Sequence, residues 1–273
     1  GVNLLTRSFM DPRIYEIVSN KPELINNFPD WMLSKKQEHE LKNTEGLAIA
    51  EIAGRDSVAA ALEAINTRRF KALLPTIAYT GTEFGDWKVP FHKTELLKVE
   101  LEERGVKVFD PIILGAPRLW WRLCGRYVTR LFKEFGFYSP CVGCHLYLHT
   151  IRIPLARKIG CSVVIGGERE SHEGKTKINQ IGISLDAYTS LARKFGIELF
   201  LPLRNISRNK EIETILNQSW DEGAEQLGCV LSKNYQDKDG NVSSFSESAI
   251  ERFFSEFAIK EAEDGLKDFL NQY

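Results

Sequence analysis

Two cysteines spaced for joint ligation are the most chemically specific feature of the sequence. Cys141 and Cys144 form a Cys-x-x-Cys pair, and a third cysteine, Cys229, lies far along the chain. Such a pair lets two thiolates bind one metal ion or one edge of an iron–sulfur cluster, and it also serves dithiol redox chemistry. These uses differ in their remaining ligands, so the pair leaves all of them open.

Two histidines make zinc the main rival to a cluster. His145 and His149 are four residues apart, so they share one face of a predicted helix, and this geometry suits zinc. A further alternative is a catalytic cysteine pair that carries a persulfide without a metal. Cys124 and Cys161 are predicted to be packing residues, because free cysteine often behaves as a small buried hydrophobe.

A second chemical signal follows the first predicted strand. Gly54, Arg55, Asp56 and Ser57 stand directly before an alanine-rich helix. The glycine lets backbone amides approach phosphate oxygens, the serine can donate a hydroxyl, and a helix N-terminus favours an anion. Asp56 would repel a polyphosphate unless a cation lies between them, which suggests Mg²⁺. As purely local structure, Asp56 or Ser57 is the N-cap of the helix.

The elements that must position these residues alternate between short apolar runs and amphipathic stretches. Predicted strands cover residues 47–52, 73–79, 106–114, 162–165 and 197–201. Predicted helices cover residues 57–64, 96–104, 145–159 and 184–195. This order predicts an α/β fold with a mostly parallel sheet, in which ligands bind at the carboxyl ends of the strands.

The N-terminal and C-terminal parts of the sequence differ from this middle part in their pattern of polar and apolar residues. Residues 1–44 are polar with short apolar clusters and predict an N-terminal helical arm, and residues 45–232 form the predicted core. Residues 233–273 predict a C-terminal loop followed by helices, since apolar residues recur at helical spacing from Ile250 to Leu266.

At the glycine segment the sequence resembles the PP-loop ATP pyrophosphatases, the adenine nucleotide alpha hydrolase-like superfamily. Residues 54–57 match the last four positions of the usual Ser-Gly-Gly-x-Asp-Ser loop, whereas Ile52 and Ala53 replace the first two. Later segments follow the family's order. They are the turn from Tyr79 to Glu83, the block from Pro140 to Cys144, the glycine strand from Gly160 to Gly167, and Leu201-Pro-Leu before Lys210.

This resemblance implies a Rossmann-like, HUP-type sheet with helices on both faces, and it implies adenylation. In that reaction ATP is cleaved between its α and β phosphates, AMP is joined to a substrate oxygen, and pyrophosphate leaves. Asp56 would be catalytic and would hold Mg²⁺ with the phosphates. The resemblance implies ATP contacts from Ile52, Ala53, Gly54, Arg55, Asp56, Ser57, Tyr79, Gly81, Gly166 and Gly167.

The cysteines resemble those of the iron–sulfur-dependent tRNA thiolation subgroup, which places a third cysteine as this chain places Cys229. The resemblance implies a [4Fe-4S] cluster on Cys141, Cys144 and Cys229, with Cys141 and Cys144 catalytic. Sulfur from sulfide or a persulfide protein would replace the adenylated carbonyl oxygen. A tRNA base is the implied acceptor, and a small-molecule acceptor stays open.

A basic, aromatic stretch precedes the cysteine pair. Its arginines recur at every fourth residue, which predicts one helix face, and Trp120 and Trp121 lie among them. Such a stripe could clamp RNA phosphates while a tryptophan stacks on a base, but a solvated arginine face over a tryptophan-anchored core would have the same sequence. Gly174-Lys-Thr lacks the spacing of a Walker A loop. The predicted acceptor contacts are Arg118, Arg122, Arg126 and Lys175.

Composition limits the remaining classes of function. The 273 residues include 36 Lys plus Arg and 37 Asp plus Glu, for a net charge of −1, which excludes strong undirected attraction to polyanions. The sequence has no apolar run of about 20 residues and no signal-peptide pattern at its N-terminus. Five cysteines in such a chain favour reduced thiols or metal ligation. We therefore expect a cytoplasmic protein without membrane contact.

Two alternatives to sulfur transfer stay open. The first is a PP-loop ligase or amidating enzyme that acts on a small molecule and carries structural zinc. The second is a redox sensor that binds nucleotide without turnover. A homodimer stays open for the sulfur transferase and for both alternatives.

Overall fold

Buried apolar strands from the middle of the chain pair into one parallel sheet. The computed structural model describes residues 11–20, 28–217, 226–242 and 245–270. The strands are β1 (Leu47–Glu51), β2 (Ala72–Tyr79), β3 (Glu83–Phe84), β4 (Lys107–Val108), β5 (Ile112–Gly115), β6 (Val163–Ile165), β7 (Glu198–Phe200) and β8 (Gly228–Cys229). The helices are α1 (Pro12–Asn20), α2 (Lys35–Lys42), α3 (Arg55–Thr67), α4 (Lys88–Glu103), α5 (Pro117–Trp120), α6 (Val128–Phe135), α7 (Pro140–Thr150), α8 (Arg152–Ile159), α9 (Gly182–Lys194), α10 (Asn209–Leu216), α11 (Glu247–Phe253) and α12 (Ile259–Leu270).

The strand order creates a ligand-binding crevice. The main sheet runs β4-β2-β1-β6-β7. β5 lies on the same side of β2 as β4 and pairs with the later part of that strand. The order reverses between β1 and β6, where Ala50 lies opposite Ile165. In doubly wound sheets the loops that leave the strands on either side of such a reversal diverge to opposite faces and open a crevice. The predicted fold class, a mostly parallel Rossmann-like α/β sheet with helices on both faces, is confirmed.

Burial explains why the central strands read as continuous apolar runs. Ala48, Ile49 and Ala50 of β1 are fully buried, as is usual for a parallel strand that helices cover on both faces. The buried alanines of α3, residues 59–61, let that helix lie close to the sheet. The helix that follows the glycine segment is therefore fixed firmly behind it.

Two predicted elements are each divided in the structure. The strand expected over residues 106–114 is β4 and β5, separated by a segment with Pro111, which has no N–H for a sheet ladder. The helix expected over residues 145–159 is α7 and α8, which meet at Ile151. Pro154 explains the break, because its ring would clash with the Thr150 carbonyl in a continuous helix. Helix α7 begins at Pro140, so the cysteine pair lies in its first turns.

The described helices near both ends of the chain pack on the sheet domain. Ile14 and Ile17 of α1 belong to the same buried cluster as the strands. Phe253 of α11 packs edge-on against Phe135 and Phe137, with ring centroids 5.8 and 5.5 Å apart. Residues 1–10 and 21–27 of the predicted arm lie outside the described residues, and the boundaries at 44/45 and 232/233 stay predictions.

None of the helices in the described ranges combines the length and the apolar character that crossing a bilayer requires.

The glycine of the Cys-x-x-Cys pair gives a testable packing prediction. A Cβ on Gly143 would lie 2.2 Å from the backbone oxygen of Leu123. Alanine ordinarily stabilises a helix relative to glycine by about 1 kcal/mol. We nevertheless expect Gly143→Ala to lower the free energy of unfolding by about 1–3 kcal/mol, because backbone must move, and urea denaturation measures this change.

The matched control is Gly265→Ala in α12, where the new Cβ meets the end of the flexible Leu119 side chain. We expect this variant to lose less stability. Equal stability of the two variants would show that α7 does not approach the Leu123 backbone so closely.

Candidate functional site

A cavity of about 360 Å³ lies at the carboxyl ends of β1 and β2. One part of its wall is the segment 52–57, and another part contains Cys144 and Cys229. Thus the cavity brings together the two chemical signals of the sequence, which are separated by more than 80 residues. Gly167, His145 and Glu168 complete the wall between them.

The glycine segment is a tight loop closed by a serine. Gly54 is the N-cap of α3 and has an extended backbone. The Ser57 hydroxyl donates to the Gly54 carbonyl at 2.6 Å and accepts from the Ala53 N–H at 2.9 Å. The first N–H groups of α3 have no acceptor within the helix. The loop therefore presents a helix N-terminus, which favours an anion, at the cavity wall.

Asp56 is held by two arginines. Its carboxylate accepts from Arg55 Nε at 2.9 Å and from Arg169 Nη1 at 3.1 Å. Arg169 is fully buried and also donates to the backbone carbonyls of Ile206 and Ser207. Since guanidinium groups already offset the Asp56 charge, the carboxylate needs no bound cation to face a phosphate. The Mg²⁺ expected here therefore stays a prediction based on the family resemblance.

The loop after β6 packs directly on the glycine segment. A Cβ on Gly167 would lie 2.7 Å from both N and Cα of Ser57, so only glycine fits without a backbone shift. Gly166 packs instead against the end of the Leu201 side chain. Of the predicted ATP contacts, Gly166, Tyr79 and Gly81 lie beside the cavity rather than in its wall.

The antiparallel pairing of β3 and β8 carries the third cysteine to the site. Cys229 lies opposite Glu83, and its Sγ is 3.3 Å from Thr82 Oγ1. Cys141 Sγ donates to the Leu231 carbonyl at 3.3 Å, two residues after Cys229. Burial raises the pKa of Cys141 to about 12, and the charges of Cys144 and Cys229 contribute to this rise. The structure thus gathers the three cysteines that the sequence proposed as ligands.

A fourth thiol joins them, and sequence reasoning missed it. Cys124 donates a hydrogen bond to Cys144, which lowers the pKa of the Cys144 thiol, and Trp120 Nε1 donates to the same sulfur at 3.4 Å. Burial raises the pKa of Cys124 itself. The one sequence signal for this approach is Gly143, whose lack of a side chain lets the backbone before Cys124 touch α7.

The histidines face carboxylates rather than the cysteine pair. His145 Nδ1 lies 2.7 Å and His149 Nε2 lies 3.1 Å from Glu168 Oε1, and His149 Nδ1 lies 2.8 Å from Glu51. Burial by itself lowers the pKa of His149, but Glu51 and Glu168 raise it to about 9. In turn the histidines hold the pKa of Glu168 well below its usual range, despite burial that would raise it.

Ligand spacing bears on the zinc alternative. Thiolates around one zinc ion lie about 3.8 Å apart, as Zn–S bonds of about 2.3 Å require. Within the described ranges, no three donors that include a cysteine lie within 4.8 Å of one another. At least one sulfur–sulfur distance among Cys141, Cys144 and Cys229 therefore exceeds 4.8 Å, which is wider than a single zinc ion requires.

The basic stretch is not the single regular helix expected. It runs through α5, a π-helical turn (Trp121–Gly125) and α6, and an Arg126 N–H to Trp121 carbonyl bond of 2.7 Å closes the wide turn. Arg122 forms an ion pair with Glu261 at 3.0 Å. The Arg126 guanidinium lies over the Trp121 ring, which is half exposed. All four predicted acceptor contacts lie outside the cavity wall. They are Arg118, Arg122, Arg126 and Lys175.

The buried arginine gives a stability prediction. We expect Arg169→Met to lower the free energy of unfolding by about 2–4 kcal/mol, because the change leaves buried carbonyls and part of Asp56 without donors. Urea denaturation measures the loss. Arg208→Met is the control, since Arg208 is exposed and forms its ion pair with Glu211 in the first turn of α10. A similar small loss in both variants would contradict the role of Arg169.

Comparisons with known proteins come from sequence and from solved structures. No family model matches the chain. A 4-thiouridine synthetase, solved as an RNA complex with bound ATP, superposes with a TM-score of 0.51 at 15% identity. The match covers 84% of this chain and 54% of that one, so this chain spans about half the length of the synthetase. The U34-tRNA thiolase NcsA from Methanococcus maripaludis, solved with its [4Fe-4S] cluster, gives a TM-score of 0.39 at 12% identity over 94% of this chain and 78% of that one, a similarity too weak to bear on function.

A relative with much higher identity is the uncharacterised protein MJ0009 of Methanocaldococcus jannaschii. The two sequences are 40% identical over 224 residues, which cover 81% of this chain and 80% of that protein. The predicted resemblance to PP-loop ATP pyrophosphatases is confirmed at the level of the fold. The chain belongs to the family of MJ0009, with the fold of the PP-loop ATP pyrophosphatases.

Proposed function

We propose that the chain is an ATP-dependent sulfur transferase that adenylates a carbonyl oxygen of an acceptor, with a tRNA base as that acceptor. One observation carries the proposal. The predicted phosphate loop, residues 52–57, and two of the proposed sulfur ligands, Cys144 and Cys229, line the same cavity. Adenylation of the carbonyl oxygen and attack of sulfur on its carbon involve the same carbonyl group, so they require such a shared cavity.

The phosphate side of the cavity can bind ATP through backbone groups and a few side chains. The α3 N-terminus and the amides near Gly54 would hold phosphate oxygens, while Asp56 keeps Arg55 beside the loop. The acceptor oxygen would attack the α phosphorus, with pyrophosphate leaving and AMP becoming bonded to that oxygen. The synthetase that shares this fold was solved with bound ATP, which supports this assignment.

The cysteine side fits an iron–sulfur cluster. Cys141, Cys144 and Cys229 are gathered here, and at least one of their sulfur–sulfur distances exceeds 4.8 Å, which is wider than one zinc ion requires. Hydrogen-bond donors, Trp120 Nε1 and Thr82 Oγ1, lie at 3.4 and 3.3 Å from ligand sulfurs, and such contacts tune cluster potentials. When bound, a [4Fe-4S] cluster on three cysteines supplies one iron without a protein ligand, where sulfide can be held.

Sulfur transfer then balances without an added oxidant or reductant. Sulfide attacks the adenylated carbon, a C–S bond forms, and the C–O bond breaks. AMP leaves with the oxygen that came from the acceptor. The chain's contribution is to hold the nucleotide and the sulfur source on opposite walls, and the apolar parts of Ile52, Ile77 and Leu148 limit water in the cavity.

RNA as the acceptor rests on two supports. The fold neighbour was solved with RNA. On this chain Trp121 is half exposed beside Arg126, which offers a stacking surface with positive charge. The arginines outside the cavity and Lys175 would contact the acceptor beyond its reacting base.

Two variants separate the two halves of the proposed reaction. In anaerobically reconstituted protein we expect Asp56→Ala to reduce acceptor-dependent pyrophosphate release about 100-fold, as for other losses of electrostatic positioning, and to leave the iron content unchanged. We expect Cys229→Ser to lose the brown colour and tRNA thiolation while still binding ATP. Iron and sulfide analysis, calorimetry with ATP and mass spectrometry of tRNA nucleosides measure these effects.

Cys161→Ser is the matched control, because that thiol donates to the Leu47 and Val163 carbonyls inside the sheet rather than lining the cavity. Colourless, iron-free protein after anaerobic reconstitution would contradict the cluster. Unchanged pyrophosphate release in Asp56→Ala would contradict the phosphate loop.

A further inference from the structure

Between the phosphate loop and the cysteines lies a group of side chains that neither half of the proposed reaction uses. It consists of His145, His149 and Glu168, whose nearest donor atoms all lie within 4.8 Å of one another. The side chains of Glu168 and His149 are only 8% and 4% exposed, whereas His145 is 27% exposed. His145 and Glu168 line the cavity. Two imidazoles and a carboxylate converge here on one point of its wall.

We propose that His145 Nδ1, His149 Nε2 and Glu168 Oε1 bind a divalent first-row transition metal ion such as Zn²⁺, with a free coordination position toward the cavity. Two histidines and one glutamate form a known ligand set of catalytic zinc, which leaves the fourth position to water or substrate. The ion would be separate from the cysteine site and from any Mg²⁺ on the nucleotide.

The distances suit such an ion. Metal–ligand bonds of about 2.0–2.1 Å in a tetrahedral site place the ligand atoms about 3.3 Å apart. Glu168 Oε1 lies 2.7 Å from His145 Nδ1 and 3.1 Å from His149 Nε2. Each histidine nitrogen needs to move from Glu168 Oε1 by only tenths of an ångström to reach this spacing.

Each proposed ligand is also oriented by a second residue, as in established metal sites. The other nitrogen of His149, Nδ1, lies 2.8 Å from a Glu51 oxygen, so that carboxylate can accept its proton and leave Nε2 free for a metal. Gln180 Nε2 donates to the second oxygen of Glu168 and leaves Oε1 available. The Asn179 amide lies 2.8 Å from His145 Nε2. A half-turn of that amide, whose N and O ends are assigned by hydrogen bonding alone, lets its oxygen accept the Nε2 proton.

A divalent ion is also compatible with the local charges. The two carboxylates, Glu51 and Glu168, lie near one guanidinium, Arg152, at 3.8 Å from Glu51. In the metal-free protein the proton of His149, whose pKa the carboxylates raise to about 9, supplies a second positive charge. Metal ligation requires a neutral imidazole, so a bound divalent ion would replace that proton and keep the buried carboxylates compensated.

The group is connected to the phosphate loop. Gln180, which orients Glu168, lies with its oxygen 2.5 Å from His172 Nε2. His172 Nδ1 is 3.9 Å from Asp56. An ion in the site would therefore lie in the wall that connects the phosphate loop to the cysteines, where its free position could receive a phosphate or acceptor oxygen.

Cobalt titration tests the proposal, because Co²⁺ distinguishes its ligands by colour. Thiolate ligation gives strong near-ultraviolet charge-transfer bands, whereas a site of nitrogen and oxygen ligands gives only visible d–d bands. We expect one equivalent of Co²⁺ with d–d bands that persist in the Cys141→Ser/Cys229→Ser variant, and we expect Zn²⁺ to displace it.

Variants of the ligands identify the site. We expect His145→Gln and Glu168→Gln each to weaken Co²⁺ binding about 100-fold or more, and Glu51→Gln to weaken it about tenfold. His92→Gln is the control, since His92 is exposed on α4 and should leave binding unchanged. Circular dichroism verifies that each variant is folded. If a histidine variant does not fold, Co²⁺ binding by the isosteric Glu168→Gln variant tests the site.

Absence of the thiolate-independent bands, or bands that persist unchanged in both His145→Gln and Glu168→Gln, would overturn the proposal. The two histidines and Glu168 would then form a hydrogen-bond network without a metal ion. Metal binding is measured without turnover. Its failure is therefore distinguishable from failure of the proposed sulfur transfer.

Discussion

The approach of Gly167 to the backbone of Ser57 is the contact on which the rest of the site depends. A single methyl group on Gly167 would lie 2.7 Å from Ser57 N and Cα. This approach joins the two loops that leave β1 and β6, the strands on either side of the topological switch point. Because backbone touches backbone, the position of the phosphate loop is set by the sheet itself rather than by flexible side chains.

The two residues that follow Gly167 contact different sides of the cavity. Glu168 points to the histidines of α7, and Arg169 reaches Asp56 and the carbonyls of residues 206 and 207. Two successive side chains of this segment thus reach different sides of the cavity. One short piece of chain thus anchors the α3 N-terminus and the helix that carries the cysteine pair, so the two walls keep a fixed relation.

Much of this arrangement could be predicted from local sequence. The run of Gly54, Asp56 and Ser57 between an apolar strand and an alanine-rich helix predicts either a phosphate loop or a helix cap. The structure places it at a strand end in the cavity wall, with Gly54 as the N-cap. Alternating apolar and amphipathic segments likewise gave the parallel sheet. The segments themselves are set by local patterns of residue type, which a sequence displays directly, and their order along the chain predicts the parallel sheet.

The remainder depends on contacts between distant segments, which no local pattern reveals. His145 and His149 were noticed for their spacing, but their partners Glu168 and Glu51 come from two different strand ends. Cys124 reaches Cys144 only because Gly143 admits the Leu123 backbone. The prediction that the arginines share one helix face requires a regular helix. The π-helical turn at Trp121–Gly125 interrupts that helix.

An anaerobic crystal structure of the iron-reconstituted protein with a non-hydrolysable ATP analogue tests most directly whether one cavity unites the two chemistries. We expect the analogue's phosphates at residues 53–57 beside Gly167, and an iron–sulfur cluster on Cys141, Cys144 and Cys229 facing the same space. A nucleotide bound elsewhere, or cysteines that share no iron with one another, would contradict the proposed sulfur transfer.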